Sequence, residues 1–358
     1  MRTNKWMAAM VVLLGMTSCG TSYRMVSQVN SNGSMHREVY AYGDSAFLAG
    51  DRTHNPFLFR IESGWELNKL DSVVKFNCWG NEEKLNVKVW RTYPTVGADS
   101  FSTLDGKEYM HPLVVPAEKL RKVFGWFYTY YQYTAAYSEL PDKGPVPLDK
   151  YLTKEEQRIW FRGDTEVLNG LNGIEQNSKL DDIETGFWKW YNRSRYELSY
   201  EVILQFAIQK GDTAFVRRLA DLKEPVYGKH FSGKDSDDEG SPGKVCNYLD
   251  EFSQTKYFSD LYKSDGKSMD ELYEEKGRIT ELFGYAVQFE LSMPGKVVST
   301  NAALQKDGSL IWKVDAYRLL YSDYTLTAES RVVNYWAFGI TILFLLLLTG
   351  YCWRRYRR

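Results

Sequence analysis

The sequence has 358 residues, 44% of them apolar and 25% charged, with a formal charge of −1; that composition excludes a disordered, collagen-like or multi-pass membrane chain. The near-neutral charge argues against nucleic-acid binding, which normally needs a concentrated basic face. The length accommodates two ordinary domains, or one large domain with targeting segments.

The chain opens as an export signal. Arg2 and Lys5 precede a short apolar run, Trp6 to Leu14, that is too short to cross a bilayer as a helix. The following Met16-Thr17-Ser18-Cys19 resembles a bacterial lipobox, with Met16 where Leu is usual. The resemblance implies a signal peptide over 1–18 and a diacylglycerol on the Cys19 sulfur, which then becomes the mature N-terminus. Residues 19–35 are polar and contain Gly, Ser and Asn, and are expected to form a lipidated tether.

Residues 36–115 form the predicted N-terminal β region. "REVYAYG", "FLFRIES", "DSVVKFNCW" and "KLNVKVWRTY" are rich in β-branched and aromatic residues, and Gly80-Asn81 marks a hairpin between the last two. Residues 116–284 are predicted as a large helical insertion. Its first helix lies between Pro116 and Pro141 and carries Phe124, Trp126, Phe127, Tyr128, Tyr130, Tyr131, Tyr133 and Tyr137, more aromatics than one helical face holds. Trp126, Tyr130, Tyr133 and Tyr137 are the candidate ligand surface, suited to stacking on sugar rings or covering an acyl chain. The plainer reading is a core helix whose tyrosine hydroxyls find partners. Thr153 and Glu156 make a capping box for a short helix that Gly163 stops. Ser178 with Asp181 opens a long helix towards Gly211, with Leu180, Ile183, Phe187, Tyr191, Leu198, Val202 and Phe206 falling near one face. Asp212 caps a helix over 213–223, a loop covers 228–244, and helices follow over 249–262 and 268–283.

Residues 285–332 return to strands, with turns at Pro294-Gly295 and Asp307-Gly308. Residues 333–353 are predicted as one transmembrane helix, because Tyr335 to Trp353 is uncharged, about 28 Å long as a helix, and flanked by interfacial Tyr and Trp. The basic tail, 354–358, stays in the cytoplasm under the positive-inside rule. The fold class is α+β: one antiparallel sheet drawn from N- and C-terminal strands around the helical insertion, with two separate sheets as the alternative. The segment from Phe289 to Asn334, ending at a membrane helix, resembles uncharacterised anchored lipoproteins of Bacteroidetes-type bacteria. From Tyr285 to Ser330 it is also similar to the closing half of LppM-type lipoprotein domains, a resemblance that implies a lipid-binding role.

No catalytic constellation stands out. Gly43-Asp44-Ser45 resembles the first block of GDSL-type hydrolases, which pair the serine with a late histidine preceded three residues earlier by aspartate; here the last histidine is His230 and Tyr227 stands before it. A turn is the simpler reading. Asp235, Asp237, Glu239 and Gly240 imitate half of an EF-hand, but its twelfth position is Cys246. His36, His54, His111 and His230 show no metal-ligand spacing, so neither a metal nor a cofactor is expected. Cys78 and Cys246 either pair or remain two buried thiols. The expectation is a non-enzymatic lipoprotein of the bacterial inner membrane with a periplasmic domain. Its partner is an unknown envelope protein, lipid or glycan; a lipid- or glycan-binding module is the alternative, and a serine hydrolase a third reading. Without Arg2, Lys5 and the four terminal arginines the exported part carries −7.

Overall fold

The computed structural model describes residues 21–97, 101–232 and 240–358. The export signal, Cys19 and Asp235 to Glu239 lie outside the described residues. The chain divides into a β-rich unit, running through Glu139 and again from Gly284, and a helical unit, Leu140–Phe283.

The β-rich unit contains β1 (Thr21–Val29), β2 (Met35–Ala41), β3 (Glu66–Cys78), β4 (Asn81–Tyr93), β5 (Ala117–Phe124) and β6 (Tyr128–Tyr137). After the helical unit come β7 (Tyr285–Ser292), β8 (Lys296–Thr300), β9 (Leu304–Lys306), β10 (Ser309–Asp315) and β11 (Tyr324–Val333). They form two sheets, β3-β4-β2-β1-β7-β10-β9 and β5-β6-β11-β8. The α+β class with its helical insertion therefore holds, but the single antiparallel sheet is corrected. Each of the two sheets takes strands from both sides of the insertion, and the larger is mixed because β1 runs parallel to β7.

The expected tether is also corrected, since β1 starts at Thr21 and lies in the middle of the large sheet. Its polar residues hid a buried strand. Tyr23, Met25 and Val29 are buried, and Arg24 reaches Glu290 on β7 through two hydrogen bonds of 2.7 and 2.9 Å. "FLFRIES" is not a strand: one bridge, Phe59 to Thr103, is its only sheet-like pairing among the described residues, and Phe57, Phe59, Trp65 and Phe101 pack ring against ring. Two hairpins fall where the sequence puts them. Cys78 pairs with Asn81 across Trp79 and Gly80, and Lys306 pairs with Ser309 across Asp307 and Gly308. All four turn residues have positive φ, as a two-residue turn that follows the strands' twist requires.

The largest correction concerns the predicted helix over 116–141, which is the hairpin β5–β6, paired from Ala117–Ala136 to Phe124–Thr129. The helical insertion accordingly begins at Leu140. Alternation along β6 decides the conformation: Thr129, Tyr131, Tyr133, Ala135 and Tyr137 are buried while the residues between them are half-buried. Gly125 makes the turn, its N–H donating to the Tyr128 carbonyl at 2.8 Å. A Cβ at this position would stand 2.9 Å from that same oxygen.

In the helical unit the Thr153–Glu156 capping box and the Gly163 stop enclose the helix Lys154–Arg162. The long helix is Gly173–Gln209; a capping box of Asn172 and Glu175 starts it earlier than Ser178. Asp212 occupies the N-cap of the next helix without a side-chain cap bond, and that helix continues through Pro225 to His230. The helices Pro242–Ser253 and Tyr257–Lys276 break at 254–256 rather than at 262–268. Across that break Asp250 accepts from the backbone N–H of Phe258 and Ser259 at 3.0 and 2.7 Å, satisfying donors at the start of the second helix. Tyr196, Ile203, Leu219, Val245, Leu249, Phe258 and Met269 form the core between these helices. Cys78 and Cys246 are separate buried thiols, one in each unit. Burial pushes both thiols up from their ordinary range.

Candidate membrane-proximal site on the aromatic hairpin

The four candidate surface residues all lie on the β5–β6 hairpin or its turn, but a strand distributes them differently from a helix. Tyr133 and Tyr137 point into the core at 1% exposure each. Tyr130 lies on the opposite, half-buried face, and Trp126 sits in the exposed turn. The hairpin thus has two distinct ends.

The inner end is a buried charge clamp joining the two sheets. Arg37 on β2 and Glu118 on β5 are 1% and 5% exposed, with their guanidinium and carboxylate paired through two bonds of 3.0 and 2.5 Å. The Tyr133 hydroxyl donates to the same carboxylate, and Arg37 Nε donates to Ser27 Oγ at 2.9 Å. Burial opposes the charge on Arg37, but the attraction and hydrogen bonds of Glu118 outweigh it and leave Arg37 firmly ionised. Burial and then Glu118 push the Tyr133 hydroxyl well above its ordinary range. The rings of Tyr93, Phe101 and Phe289 lie 5.3–5.9 Å from the guanidinium carbon. Tyr133 stacks on Phe289, which in turn packs on Trp312. A cavity nearby in this core, lined by Tyr23, Met25, Val39 and Val287 among others, is about 20 Å³. Pockets for small ligands run to hundreds of Å³, so it holds at most a water. Sequence reading missed Arg37 and Glu118. The available signal was a charge at an inward position of an alternating strand, Met35-x-Arg37-x-Val39-x-Ala41.

The outer end meets the C-terminal helix, Tyr335–Tyr356, which is long and apolar enough to cross a membrane. β11 runs into it through Asn334, whose side chain and backbone tie the two structures together. Asn334 Nδ2 donates to the Gly125 carbonyl at 2.9 Å, its Oδ1 accepts from Thr129 Oγ1 at 3.0 Å, and its N–H donates to the Phe127 carbonyl at 2.9 Å. Phe124 stacks on Trp336 at 6.2 Å, Trp126 meets Trp336 edge-on at 5.4 Å, and Phe127 packs on Phe338 at 4.6 Å. Trp126 Nε1 donates to Thr341 Oγ1 at 2.9 Å. Phe124 remains 62% exposed and Trp126 48%.

At the hydrolase-like motif, Asp44 caps the short helix Ser45–Ala49 by accepting from Phe47 N–H at 2.8 Å. Its other oxygen lies 2.7 Å from His54 Nδ1. Ser45 makes no hydrogen bond with that histidine. Among the described residues, no three His, Cys, Asp or Glu side chains converge as a metal site.

No protein-family model matches the sequence, and no curated protein matches it. Among solved structures, the folded domain of LppM from Mycobacterium tuberculosis is similar at 7% identity, over 88% of this chain and 91% of that one, with a TM-score of 0.22. This is the lipoprotein class that the closing strands resemble; at that TM-score the likeness carries no argument about fold or function.

Proposed function

We propose that this chain is a non-enzymatic envelope interaction protein, anchored in the bacterial inner membrane by its C-terminal helix and acylated at Cys19. Its β-rich and helical units lie on the periplasmic side and its arginine tail in the cytoplasm. One observation carries the reading: the last strand of a well-packed sheet passes directly into an exposed apolar helix, and the hairpin tip packs on that helix's first turns. A water-soluble domain gains nothing by exposing Phe344, Leu346 and Leu347, whereas a hydrocarbon core accepts them. The filled interior around Tyr133 favours interaction over carriage of an enclosed lipid. In the helical unit, an open groove of about 560 Å³ lined by Asp142, Leu198, Glu201, Leu272, Glu275 and Lys276 offers a surface for a partner.

The test is photocrosslinking in intact cells from positions 201 and 275, followed by mass spectrometry. A specific envelope partner, lost when groove residues are substituted, is expected. Ester hydrolysis by the purified full-length chain that disappears in Ser45→Ala would instead establish the hydrolase reading and end this one.

A further inference from the structure

This inference rests on the reading that the C-terminal helix spans a bilayer. Asn334 fixes the hairpin tip to the start of that helix, so the helix carries the tip to the bilayer with it. Trp126 bonds to Thr341, seven residues and about 10 Å along the helix axis from Asn334. With the helix inserted, this ring stands below the first turn, in the zone where tryptophan is favoured for its apolar body and polar N–H.

Directly behind the aromatic tip lies a small group of cations. The register of the four-stranded sheet puts Val123, Tyr130, Arg331 and Lys296 side by side in one row. Arg121 lies on the same face two residues further back along β5. The Arg331 guanidinium stands 4.6 Å over the Tyr128 ring. Among the described residues no carboxylate forms an ion pair with Arg121, Lys296 or Arg331. The acid on that face, Glu329, accepts instead from Gln132 Nε2 at 3.2 Å. An exported part with an overall charge of −7 thus carries three unpaired cations at the corner next to its membrane helix.

We infer that this corner is an anionic-lipid site. Arg121, Lys296 and Arg331 face the phosphate headgroups of the outer leaflet, while Phe124, Trp126 and Phe127 enter the interface beside the helix. The layering follows from the covalent order: aromatics at the turn, Arg331 and Lys296 level with the second strand pair above it, and Arg121 in the fourth. Charge and apolar burial act together here, as they do for peripheral segments that bind acidic membranes.

Tryptophan quenching in vesicles bearing the full-length chain tests this, using phosphatidylcholine bilayers doped with equal fractions of acyl-brominated phosphatidylcholine or acyl-brominated phosphatidylglycerol. The Trp126 signal is the difference between the wild type and Trp126→Phe. Brominated phosphatidylglycerol should quench it about twofold more strongly than brominated phosphatidylcholine. The Arg121→Gln, Lys296→Gln, Arg331→Gln triple variant should equalise the two lipids and keep the quenching by phosphatidylcholine. Equal quenching in the wild type overturns the headgroup site. Absence of quenching by either lipid, in a chain that still floats with vesicles after carbonate, overturns tip insertion and leaves the spanning helix standing. A chain that fails to float overturns both.

Discussion

The two ends of the β5–β6 hairpin are both built from aromatic residues, in opposite surroundings. Tyr133, packed on Phe289 and bonded to a buried carboxylate, holds two sheets together; Trp126, in the turn of the same hairpin, is half exposed against a helix that no other part of the described chain covers. Aromatic density alone therefore specifies neither core nor surface. Strand alternation assigns the inner residues, and the turn assigns the outer ones to whatever the C-terminal helix is immersed in.

The contrast is broken most strongly at the inner end. Glu118→Ala leaves the Arg37 guanidinium buried without its carboxylate and should cost about 3–5 kcal/mol in denaturant unfolding of the detergent-solubilised chain. Combining it with Arg37→Met should recover much of that loss, since the uncompensated charge goes with the arginine. A Glu118→Ala penalty below about 1 kcal/mol would mean that water enters the clamp.

Tyrosine-to-phenylalanine exchanges sharpen the same comparison on a smaller scale. Tyr133→Phe removes a donor to a charged acceptor and should cost about 1.5–3 kcal/mol. Tyr130→Phe, on the half-exposed face, should cost less than about 0.5 kcal/mol. Equal losses would mean that the two faces of β6 are not distinct.

Acid should weaken the β-rich unit gradually. Burial works to raise Glu290, but the Arg24 and Gln288 hydrogen bonds prevail and hold it below its ordinary value. Burial likewise opposes Lys88 and Tyr40 at Glu38, with the same downward result. A carboxyl depressed in the folded state binds protons more readily when unfolded. Its stabilisation is thus present above the ordinary Glu value of 4.5 and is lost as pH falls through the lower folded value. The Tm should drop on going from pH 6 to pH 3, and Glu290→Gln should flatten part of that slope. A slope unchanged by Glu290→Gln would remove the Arg24–Glu290 pair from the account.

At the outer end too the stability effect is expected to be small. Phe124→Ser removes a ring that is mostly exposed in water and should change unfolding in detergent by less than about 1 kcal/mol. A larger loss would make the tip part of the core.

The sequence made some of this legible and concealed the rest for identifiable reasons. The capping box at Thr153, the turns at Gly80 and Asp307, and the uncharged run after Asn334 are local signals, and each stands where it was read. The hairpin was concealed because both faces of β6 carry tyrosine, so period-two hydrophobicity is flattened. Its Thr and Tyr content and Gly125 at the turn were the evidence for a strand. β1 was concealed by polarity that only pairing explains: Arg24 needs Glu290, more than 260 residues away, and Ser27 needs Arg37. Of the Arg37–Glu118 clamp only the inward charge on β2 was legible; its pairing with Glu118 was not, because contact across two sheets leaves no spacing rule in one chain. The same holds for the basic corner, whose Arg121, Lys296 and Arg331 come from three separate stretches of sequence.

The central claim, that the C-terminal helix crosses the bilayer and holds the rest outside the cytoplasm, is tested most directly by labelling its far end. In a Cys352→Ser, Arg357→Cys variant, a membrane-impermeant maleimide should leave residue 357 unmodified in intact spheroplasts and modify it promptly once they are permeabilised. Modification at the same rate in intact and permeabilised spheroplasts would contradict the crossing, and with it the membrane surface against which the hairpin tip is placed.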